Sequence, residues 1–438
     1  MKSKIGKFIP CLLAILVAIA GTTGCQGKTE RAVNSPTGSS NASAEEASLP
    51  EGNITLTFWH TYGDKEEAQL KEVVIPKWKA LHPNIDIEPV RQDSSQYHQM
   101  IVTAFGTGQT PDVARIDIVN TASYAQQGGI ISMDDREGFA KQKDTFLAAP
   151  LSTNYYKGHY YGLPLDTNCK AAVINKNTLK AIGLDRTPQT MEEFISAAKK
   201  NGNGKYLLNV SGVGDWDILP YFWLFGGMVT DDNFTSASGY LDSDASVKAI
   251  QTMLDLHKDK IFTIRDIDGS ADAWDGISTG EYAMFLEGPW YFGSYEDSEA
   301  KGITPALIPT YHGKSASAIG GENIVVFQAG KNQEAAYEFA QFMTSEEIQL
   351  DMLKSGQLPV LKSLVDNAEI TSNPVWSVYM KQMESAKARI PSPSHTQIGE
   401  IWSDAMTEIF TNQADVRKEL TKAAGLIDEQ LVIGGQGH

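Results

Sequence analysis

Cysteine is scarce in this chain of 438 residues, and the three cysteines present cannot form a disulfide framework. Cys11 lies inside an apolar N-terminal run and Cys25 lies just after it, which leaves Cys169 alone in the remaining chain. No motif places a histidine beside Cys169. We therefore interpret it as a small buried apolar residue and not as a catalytic thiol.

Positive charge is also in short supply. The sequence has 37 lysines and arginines against 54 aspartates and glutamates, which gives a formal net charge of -17. An acidic surface repels phosphate backbones and anionic headgroups. The composition therefore argues against nucleic acid or anionic lipid as the ligand.

The motifs of common enzymes are missing or incomplete. Gly313-Lys314-Ser315 matches the tail of a phosphate-binding loop, but Ile308 stands where that loop needs its first glycine. Gly202-Asn203-Gly204 begins like a dinucleotide-binding loop, but Leu207 replaces the third glycine. The sequence has no His-Glu-x-x-His helix. We expect no enzymatic activity, no catalytic residue and no cofactor.

One acidic segment has the alternation of a calcium-binding loop. Asp266, Asp268, Ser270 and Asp272 alternate as calcium ligands do, but Gly269 is misplaced for the standard loop. We interpret the segment as a solvated turn followed by a helix cap, and we expect no metal site.

The N-terminus is organised like an export signal. Lys2, Lys4 and Lys7 precede an apolar run over residues 8–20, and small residues then lead to Cys25. The run is shorter than the roughly 20 residues of a spanning helix, and the stretch resembles the lipobox of bacterial lipoproteins. We predict a signal peptide over residues 1–24 and a lipidated Cys25 that anchors the exported protein to the outer face of the cytoplasmic membrane. A plain membrane anchor with an incidental Cys25 is the alternative.

A tether and a large body follow. Residues 25–52 include the lipidated cysteine and are rich in Ser, Ala, Thr, Asn, Gly and Glu without any helical or strand period, which predicts a flexible segment. The rest of the chain is too long for one hydrophobic core, so we expect two lobes.

The body opens with a strand, a helix and a second strand. Ile54, Leu56 and Phe58 alternate with polar residues as in a half-buried strand. Asp64 can cap the next helix, Pro76 is expected to bend or shorten it, and a second strand is predicted over residues 85–90. Short connections of this kind indicate a parallel, right-handed crossover unit.

Later segments repeat the theme. A strand is predicted over residues 112–118, and Gly128-Gly129 can stop the helix that follows it. Thr190-Met191-Glu192-Glu193 is a capping box that predicts a helix to about Lys200. Amphipathic patterns predict helices over residues 244–258 and 332–343, with a further helix beginning at Ser345. The alternation of strands and helices indicates two doubly wound α/β lobes.

Aromatic residues cluster where ligands bind in open parallel sheets. Trp59-His60-Thr61-Tyr62 follows the first strand, Trp216 and Trp223 bracket an apolar stretch, and Trp290 follows a Gly-Pro break. Ligands sit outside the carboxyl ends of parallel strands. Sugars present apolar C–H faces and hydroxyl groups, so they need flat aromatic rings beside carboxylates and amides. For Trp59 and Trp223 packing in the core is an equal alternative.

Five motifs in a fixed order carry a resemblance. From Ile54 onward the chain resembles the extracellular solute-binding proteins of family 1, the sugar-binding subunits of ABC importers, over nearly all of residues 53–438. The motifs are Phe58-Trp59-His60-Thr61, Gly108-Gln109-Thr110-Pro111-Asp112-Val113, Tyr161-Gly162-Leu163-Pro164 with Val173-Ile174-Asn175-Lys176, Ala283-Met284 with Gly288-Pro289-Trp290, and Gly320-Gly321-Glu322-Asn323.

The resemblance implies a type II periplasmic-binding-protein-like fold in which each lobe is a mainly parallel sheet flanked by helices. The N-terminal lobe would comprise residues 53–166 and 325–372, and the C-terminal lobe residues 167–324 and 373–438. A hinge would join them where the chain crosses near residues 166–170 and 320–324. Glycine there suits backbone that flexes or approaches a ligand closely.

The resemblance also implies a sugar held between the lobes and delivered to the permease of the ABC importer by a monomer. Its cleft positions map onto His60, Thr61, Tyr62, Arg115, Asp117, Asp166, Asn168, Trp216, Glu287, Trp290, Gly321, Glu322, Asn323 and Trp402. For Arg115 and Asp117 the alternative is a mutual ion pair, and for Asp112 it is a turn or helix cap.

Two other functions stay open at this stage. A secreted glycoside hydrolase would also place aromatics and carboxylates in a cleft. A binding protein for another solute, such as a polyamine, glycerol phosphate or iron, would share the fold. The abundance of tryptophan favours an oligosaccharide, because several stacking surfaces serve several rings, although the sequence does not exclude a monosaccharide.

Overall fold

The computed structural model describes residues 52–295 and 297–435. The predicted signal peptide, the lipidated Cys25 and nearly all of the predicted tether lie outside the described residues. Within those two ranges, no helix is both long and apolar enough to span a bilayer.

The opening strand and its neighbour confirm the predicted crossover unit. Strand β1 (Ile54–His60) buries Leu56, Phe58 and His60 and exposes the alternate positions to varying degrees. It pairs in parallel with β2 (Ile85–Arg91), with Ile54 opposite Ile85. The period of two therefore places the first apolar row in the core.

The helix between these strands differs from the prediction at both Asp64 and Pro76. Asp64 is the first helical residue and not the cap; Gly63 precedes the helix, and its N–H donates to Glu66 Oε2 at 2.7 Å. Pro76 does not end the helix, because a π-helical turn over Leu70–Val74 precedes it and the N–H of Ile75 donates to Leu70 O. The wider turn accommodates a proline that lacks an N–H of its own.

The strands of the described residues form two large sheets and one hairpin. They are β1 (Ile54–His60), β2 (Ile85–Arg91), β3 (Val113–Asp117), β4 (Tyr155–Tyr156), β5 (His159–Tyr160), β6 (Leu163–Cys169), β7 (Ala171–Asn175), β8 (Leu208–Val210), β9 (Phe262–Ile264), β10 (Met284–Glu287), β11 (Ile303–Ala306), β12 (Ser317–Val326) and β13 (Ala386–Lys387).

Helices cover both sheets. The α-helices are α1 (Asp64–Gln69), α2 (Ile75–Leu81), α3 (Tyr97–Thr107), α4 (Thr121–Gln126), α5 (Phe139–Gln142), α6 (Ala148–Ser152), α7 (Lys176–Ala181), α8 (Met191–Asn201), α9 (Asp215–Leu224), α10 (Asp244–Lys258), α11 (Arg265–Asp268), α12 (Ala273–Thr279), α13 (Trp290–Ser294), α14 (Gln333–Met343), α15 (Glu346–Leu353), α16 (Ala368–Thr371), α17 (Pro374–Gln382), α18 (His395–Asn412) and α19 (Val416–Ile433). Short 3-10 turns occupy Ile118–Asn120, Lys143–Thr145, Lys362–Leu364 and Met383–Ser385.

Several of these helices have the predicted bounds and signals. Helix α10 spans the predicted residues, and α8 begins after Thr190, whose hydroxyl accepts from the N–H of Glu193 at 3.1 Å. Ser345 precedes α15 as expected. The local capping signals were therefore sufficient at these places.

The two sheets are mixed, with parallel pairs supplemented by antiparallel ones. In the first sheet, of order β13-β12-β3-β1-β2, strand β1 is parallel to β2 and β3, whereas β12 is antiparallel to β3 and to β6. In the second, of order β11-β7-β10-β8-β9, strand β8 is parallel to β9 and β10, whereas β7 is antiparallel to β10 and β11.

Each large sheet has its own hydrophobic core, which gives the body two lobes. Leu56, Phe58, Trp78 and Phe339 belong to the core of the first sheet. The core of the second sheet is built from residues of β7 to β10 and from α8 to α10, α18 and α19. Helix α17 packs on the first core through Tyr379.

Strands β6 and β12 run side by side where the chain passes between the sheets. Gly321 lies opposite Thr167, and Glu322 lies opposite Asp166. Gly321 has φ of 119°, and a Cβ atom there would lie 2.4 Å from the carbonyl oxygen of Asp166. Glycine is required at this position by both backbone conformation and space.

Candidate ligand-binding site

A buried arginine joins three strands below the cleft between the lobes. Arg115 on β3 donates from Nε to Asp166 Oδ2 at 3.3 Å and from Nη1 to Thr61 Oγ1 at 2.8 Å. Its Nη2 lies 2.8 Å from Glu322 Oε2, and its guanidinium carbon lies 4.5 Å from the centre of the Tyr62 ring. The structure therefore brings four of the predicted site residues around a fifth, Arg115.

The charges of this cluster depend on each other. Burial acts to lower the pKa of Arg115, but Glu322 and Asp166 outweigh that effect and raise it. Burial raises the pKa of Glu322 well above its usual range, Arg115 opposes that shift, and Asp166 adds to it. Two carboxyl groups that share one cation favour retention of a proton on Glu322.

His60 lies in the interior beside this cluster. Burial, with a smaller effect of Arg115, lowers the pKa of His60 to about 4, although Glu67 opposes the shift. The neutral ring accepts a hydrogen bond at Nδ1 from the N–H of Tyr62 at 3.3 Å. Both His60 and Tyr62 are buried, so in this conformation they support the cleft from beneath.

Two tryptophans of the second lobe form an aromatic pair at the cleft. Trp216 lies in the first turn of α9, and Trp290 begins α13 after the Gly-Pro break. Their ring centres are 6.1 Å apart, the rings are inclined by 28°, and Trp290 is 40% exposed. Lys170 and Arg389 lie over Trp216, at 5.0 Å and 5.2 Å from the ring centre.

The chain crossings meet this aromatic pair. A Cβ atom on Gly320 would lie 2.3 Å from Asn168 Oδ1 and 2.9 Å from the ring of Trp216. Asn168 Oδ1 is buried and has no hydrogen-bond partner among the residues described. A cavity of 240 Å³, which we call the inner cavity, is lined here by Asn168, Trp290 and Trp376.

Asp117 belongs to a second charged cluster, and its predicted alternative, an ion pair with Arg115, is wrong. Asp117 lies past the end of the buried part of β3 and accepts from the N–H of Val119 at 3.0 Å. Its nearest cation is Arg389, at 3.5 Å. The carboxylate of Asp112 accepts from the N–H of Thr57 on β1 at 3.0 Å, so this bond joins two distant segments and is not the turn or helix cap of the alternative.

Arg389 also faces the second lobe. It lies 3.8 Å from Asp215, which in turn lies 3.3 Å from Nε2 of His395. Burial opposes ionisation of Asp215, but His395 and Arg389 hold its pKa at about 2. The cluster therefore connects an aspartate of each lobe through one arginine.

Three further predicted site residues are buried. Glu287 accepts from Trp274 Nε1 at 2.9 Å and from the N–H of Gly288 at 2.8 Å. The side chain of Asn323 bonds to buried first-lobe side chains. Trp402 donates to Val213 O at 3.1 Å and lines the second-lobe cavity described next. We leave Glu287 and Asn323 out of the ligand surface proposed below.

Two further cavities lie beside the charged cluster of Arg389 and Asp215. The second-lobe cavity has a volume of 310 Å³ and is lined by Asp215, Trp223 and His395, among others. The outer cavity has a volume of 360 Å³ and includes Tyr155 and Arg389 in its lining. Both volumes fall in the range of roughly 300–1,000 Å³ that is usual for ligand sites.

The acidic segment after β9 is a turn and a cap, as predicted. Asp268 accepts from the N–H of Ser270 at 3.0 Å, and Asp272 accepts from the N–H of Trp274 at 2.9 Å. Over the described ranges, no group of three or more His, Cys, Asp or Glu side chains is arranged to hold a metal ion.

Comparison with known proteins identifies the family. A family model described as bacterial extracellular solute-binding protein matches residues 74–376. The chain belongs to this family. The two lobes, the paired crossings and the cleft between them agree with the fold of such solute-binding proteins.

Relatives of this solute-binding protein are named for a ligand or have been solved with one. The maltotriose-binding protein of Pyrococcus abyssi (strain GE5 / Orsay) is 25% identical over 399 residues, which are 86% of this chain and 82% of that protein. The GacH receptor of Streptomyces glaucescens GLA.O, solved unliganded and with acarbose, has a TM-score of 0.75 at 22% identity and covers 88% of this chain and 99% of its own. UgpB of Mycobacterium tuberculosis, solved with glycerophosphocholine, has a TM-score of 0.73 at 20% identity and covers 87% of this chain and 99% of its own.

Arg389 is the main site residue of this solute-binding protein that sequence reasoning missed. Its signal is weak: Lys387 and Arg389 form a short basic stretch before Ile390-Pro391 in an acidic chain. Asp215 was missed as well, because an aspartate in the first turn of a helix is explained by the helix dipole alone.

Proposed function

We propose that this solute-binding protein captures a carbohydrate between its lobes and delivers it to the permease of an ABC importer. The stacked pair of Trp216 and Trp290 carries the proposal, because it offers a half-exposed aromatic surface beside polar groups. Sugar rings stack on such surfaces through their C–H faces. The names of the relatives support the same class of ligand.

The unpartnered oxygen of Asn168 supports the proposal from the crossing strands. A buried acceptor without a partner is costly, so a bound donor would stabilise it. A sugar hydroxyl can supply that donor while the ring lies on Trp290. Asn168 and Trp290 line the same inner cavity, which makes the two contacts compatible with one ligand.

Charge at the cleft argues against an anionic ligand. Arg115 faces the carboxyl groups of Asp166 and Glu322, and Arg389 faces those of Asp117 and Asp215. Each arginine is thus opposed by two acids and has little charge left for a phosphate. Glycerol phosphate is therefore a weaker candidate than a sugar.

Capture would proceed by closure of the lobes. In this structure Lys65 of the first lobe donates to Gly293 O of the second lobe at 3.2 Å, and Arg389 links Asp117 with Asp215. A ligand that contacts both lobes stabilises the closed arrangement by its differential affinity for it. The permease would recognise that arrangement, and no chemical step is required of the protein.

The remaining assignments are proposals of the same kind. We propose lobe limits at residues 53–166 with 325–372 and at residues 167–324 with 373–438. The protein would act as an exported monomer, held at the outer face of the cytoplasmic membrane by a lipid on Cys25, and it would have no enzymatic activity. Mass spectrometry of the N-terminal peptide from membranes tests the lipid directly.

A thermal-shift screen of the purified protein tests the function. Mono- and oligosaccharides, polyamines, glycerol phosphate and metal salts form the panel, since a ligand that binds only the folded state raises Tm. We expect a rise with one sugar class that is lost in Trp290→Ala and kept in Tyr240→Ala, which removes a comparably exposed aromatic from another surface.

The same screen distinguishes the alternatives. A rise with a polyamine or glycerol phosphate and with no sugar would overturn the carbohydrate assignment. Release of reducing sugar by the purified protein would instead support the glycoside hydrolase.

A further inference from the structure

Phe234 adopts a backbone conformation that is unfavourable for a bulky residue. Its φ is 57°, in the left-handed region where the Cβ atom of an L-residue meets its own backbone. Such a conformation persists only where the surroundings enforce it, and it is a reason to look for a function.

The loop around Phe234 enforces that conformation through one carboxylate. Asp231 accepts from the N–H groups of Asn233, Thr235 and Ser236, at 3.2, 2.6 and 2.9 Å. The N–H of Phe234 donates to Asp231 O at 3.1 Å. The end of the loop is held by Asp428, which accepts from the N–H of Ala237. The backbone on both sides of Phe234 is therefore held by hydrogen bonds.

Phe234 lies where two cavities meet. It lines both the second-lobe cavity and the outer cavity, and Ala388 is the other residue that they share. Asp215, the neighbour of Trp216 in the chain, lines the first cavity, and Arg389, which lies over Trp216, lines the second. On this basis we take the two cavities as extensions of the proposed cleft, with the half-buried Phe234 at their meeting point.

We propose that Phe234 is a stacking surface that determines the length of the saccharide the protein holds. This inference rests on the proposed function. A saccharide chain that starts on Trp216 and Trp290 and extends between the second-lobe cavity and the outer cavity must cross the ring of Phe234. Aromatic rings at such a crossing bind the C–H face of a sugar unit, whereas a short sugar held by the tryptophan pair does not reach it.

Calorimetric titration of the full-length protein tests the inference. The probes are malto-oligosaccharides and arabino-oligosaccharides of two to five units. We expect affinity to increase with chain length, and Phe234→Ala to weaken the longest binding member by about tenfold while it changes the disaccharide by less than about twofold. Phe234→Tyr should restore the wild-type profile, and Tyr240→Ala should match wild type throughout.

Phe234→Gly separates binding from folding. Glycine adopts the left-handed conformation without steric cost, which offsets part of the packing against the second-lobe core that is lost with the ring. Phe234→Gly should therefore have a higher Tm than Phe234→Ala and still lose affinity for the longest ligand. A merely structural role for the ring would lower Tm in both variants and leave the affinity for every length unchanged.

The other outcomes are also decisive. If saccharides bind but Phe234→Ala and Phe234→Gly leave the dependence on length unchanged, or weaken all lengths equally, the inference is wrong and the proposed function stands. If a mono- or disaccharide binds as tightly as longer chains, the inference is likewise overturned. If the wild type binds no saccharide in either this titration or the broader screen, both fail.

Discussion

Replacement of Arg115 by leucine should destabilise the protein severely. The change leaves Asp166 and Glu322 facing each other below the cleft without their shared cation, and the side chain of Arg115 is only 6% exposed. Removal of one partner from a buried ion pair costs about 3–5 kcal/mol. Loss of the hydrogen bond to Thr61 adds roughly 1 kcal/mol. We expect a total loss of about 4–6 kcal/mol.

Urea denaturation measures this loss, with tryptophan fluorescence and circular dichroism compared because two lobes can unfold in separate steps. The loss should be smaller at pH 5 than at pH 8, since protonation relieves repulsion between the carboxyl groups. Replacement of Arg115, Asp166 and Glu322 together by Leu, Leu and Met should recover much of the stability, because an apolar core of similar volume needs no compensating charge.

The reasoning would be refuted by a loss below about 1 kcal/mol in Arg115→Leu at pH 8. Arg115→Lys provides the matched control. It retains a cation but cannot reach two carboxylates and a hydroxyl in one plane, so an intermediate loss is expected.

Three further predictions follow from individual residues. Because the pKa of Glu322 is raised in the folded state, the folded protein keeps this proton to a higher pH than the unfolded chain does, so the free energy of unfolding should fall as pH rises above about 4.5. Glu322→Gln should flatten this pH dependence in urea titrations at several pH values. An unchanged pH dependence would contradict the assignment. Gly321→Ala should cost roughly 1–3 kcal/mol or more in the same assay, because its Cβ would meet the carbonyl of Asp166, and equal stability would count against the close crossing. Burial raises the pKa of the Cys169 thiol to about 12, so this thiol should resist alkylation at pH 8 in the native protein and react in urea. Mass spectrometry of the peptide that contains Cys169 measures the labelling, and fast labelling of the native protein would show that the thiol is accessible.

Local signals predicted the elements better than they predicted the site. The alternation of Ile54, Leu56 and Phe58 predicted the first strand correctly because one face of that strand is buried. Thr190 predicted the start of α8 correctly because its hydroxyl caps the helix. The prediction that Pro76 bends or shortens the helix was wrong, because a single π-helical turn before it accommodates the proline. No local sequence pattern predicts such a turn.

The site depends on register between distant segments, which sequence spacing does not contain. Arg115 and Asp166 were both expected at the cleft, but their joint contact with Glu322 depends on the pairing of β12 with β3 and β6. Asn323, one residue further along β12, lies past a register shift in the pairing with β6 and bonds to Thr121 and Thr153 in the interior. A motif therefore located the strand but not the face on which each side chain lies.

The pairing of β6 with β12 also limits how the lobes can move. Ile319, Gly320 and Gly321 of β12 pair with Cys169, Asn168 and Thr167 of β6, so sliding one strand along the other would break their hydrogen bonds, whereas a bend across both strands would keep them. The lobes should therefore rotate about a single axis that crosses the two strands, and not about several independent axes. Every ligand that closes the lobes would then bring the outer surfaces of the two lobes into the same relative orientation, so one permease could accept saccharides of different length.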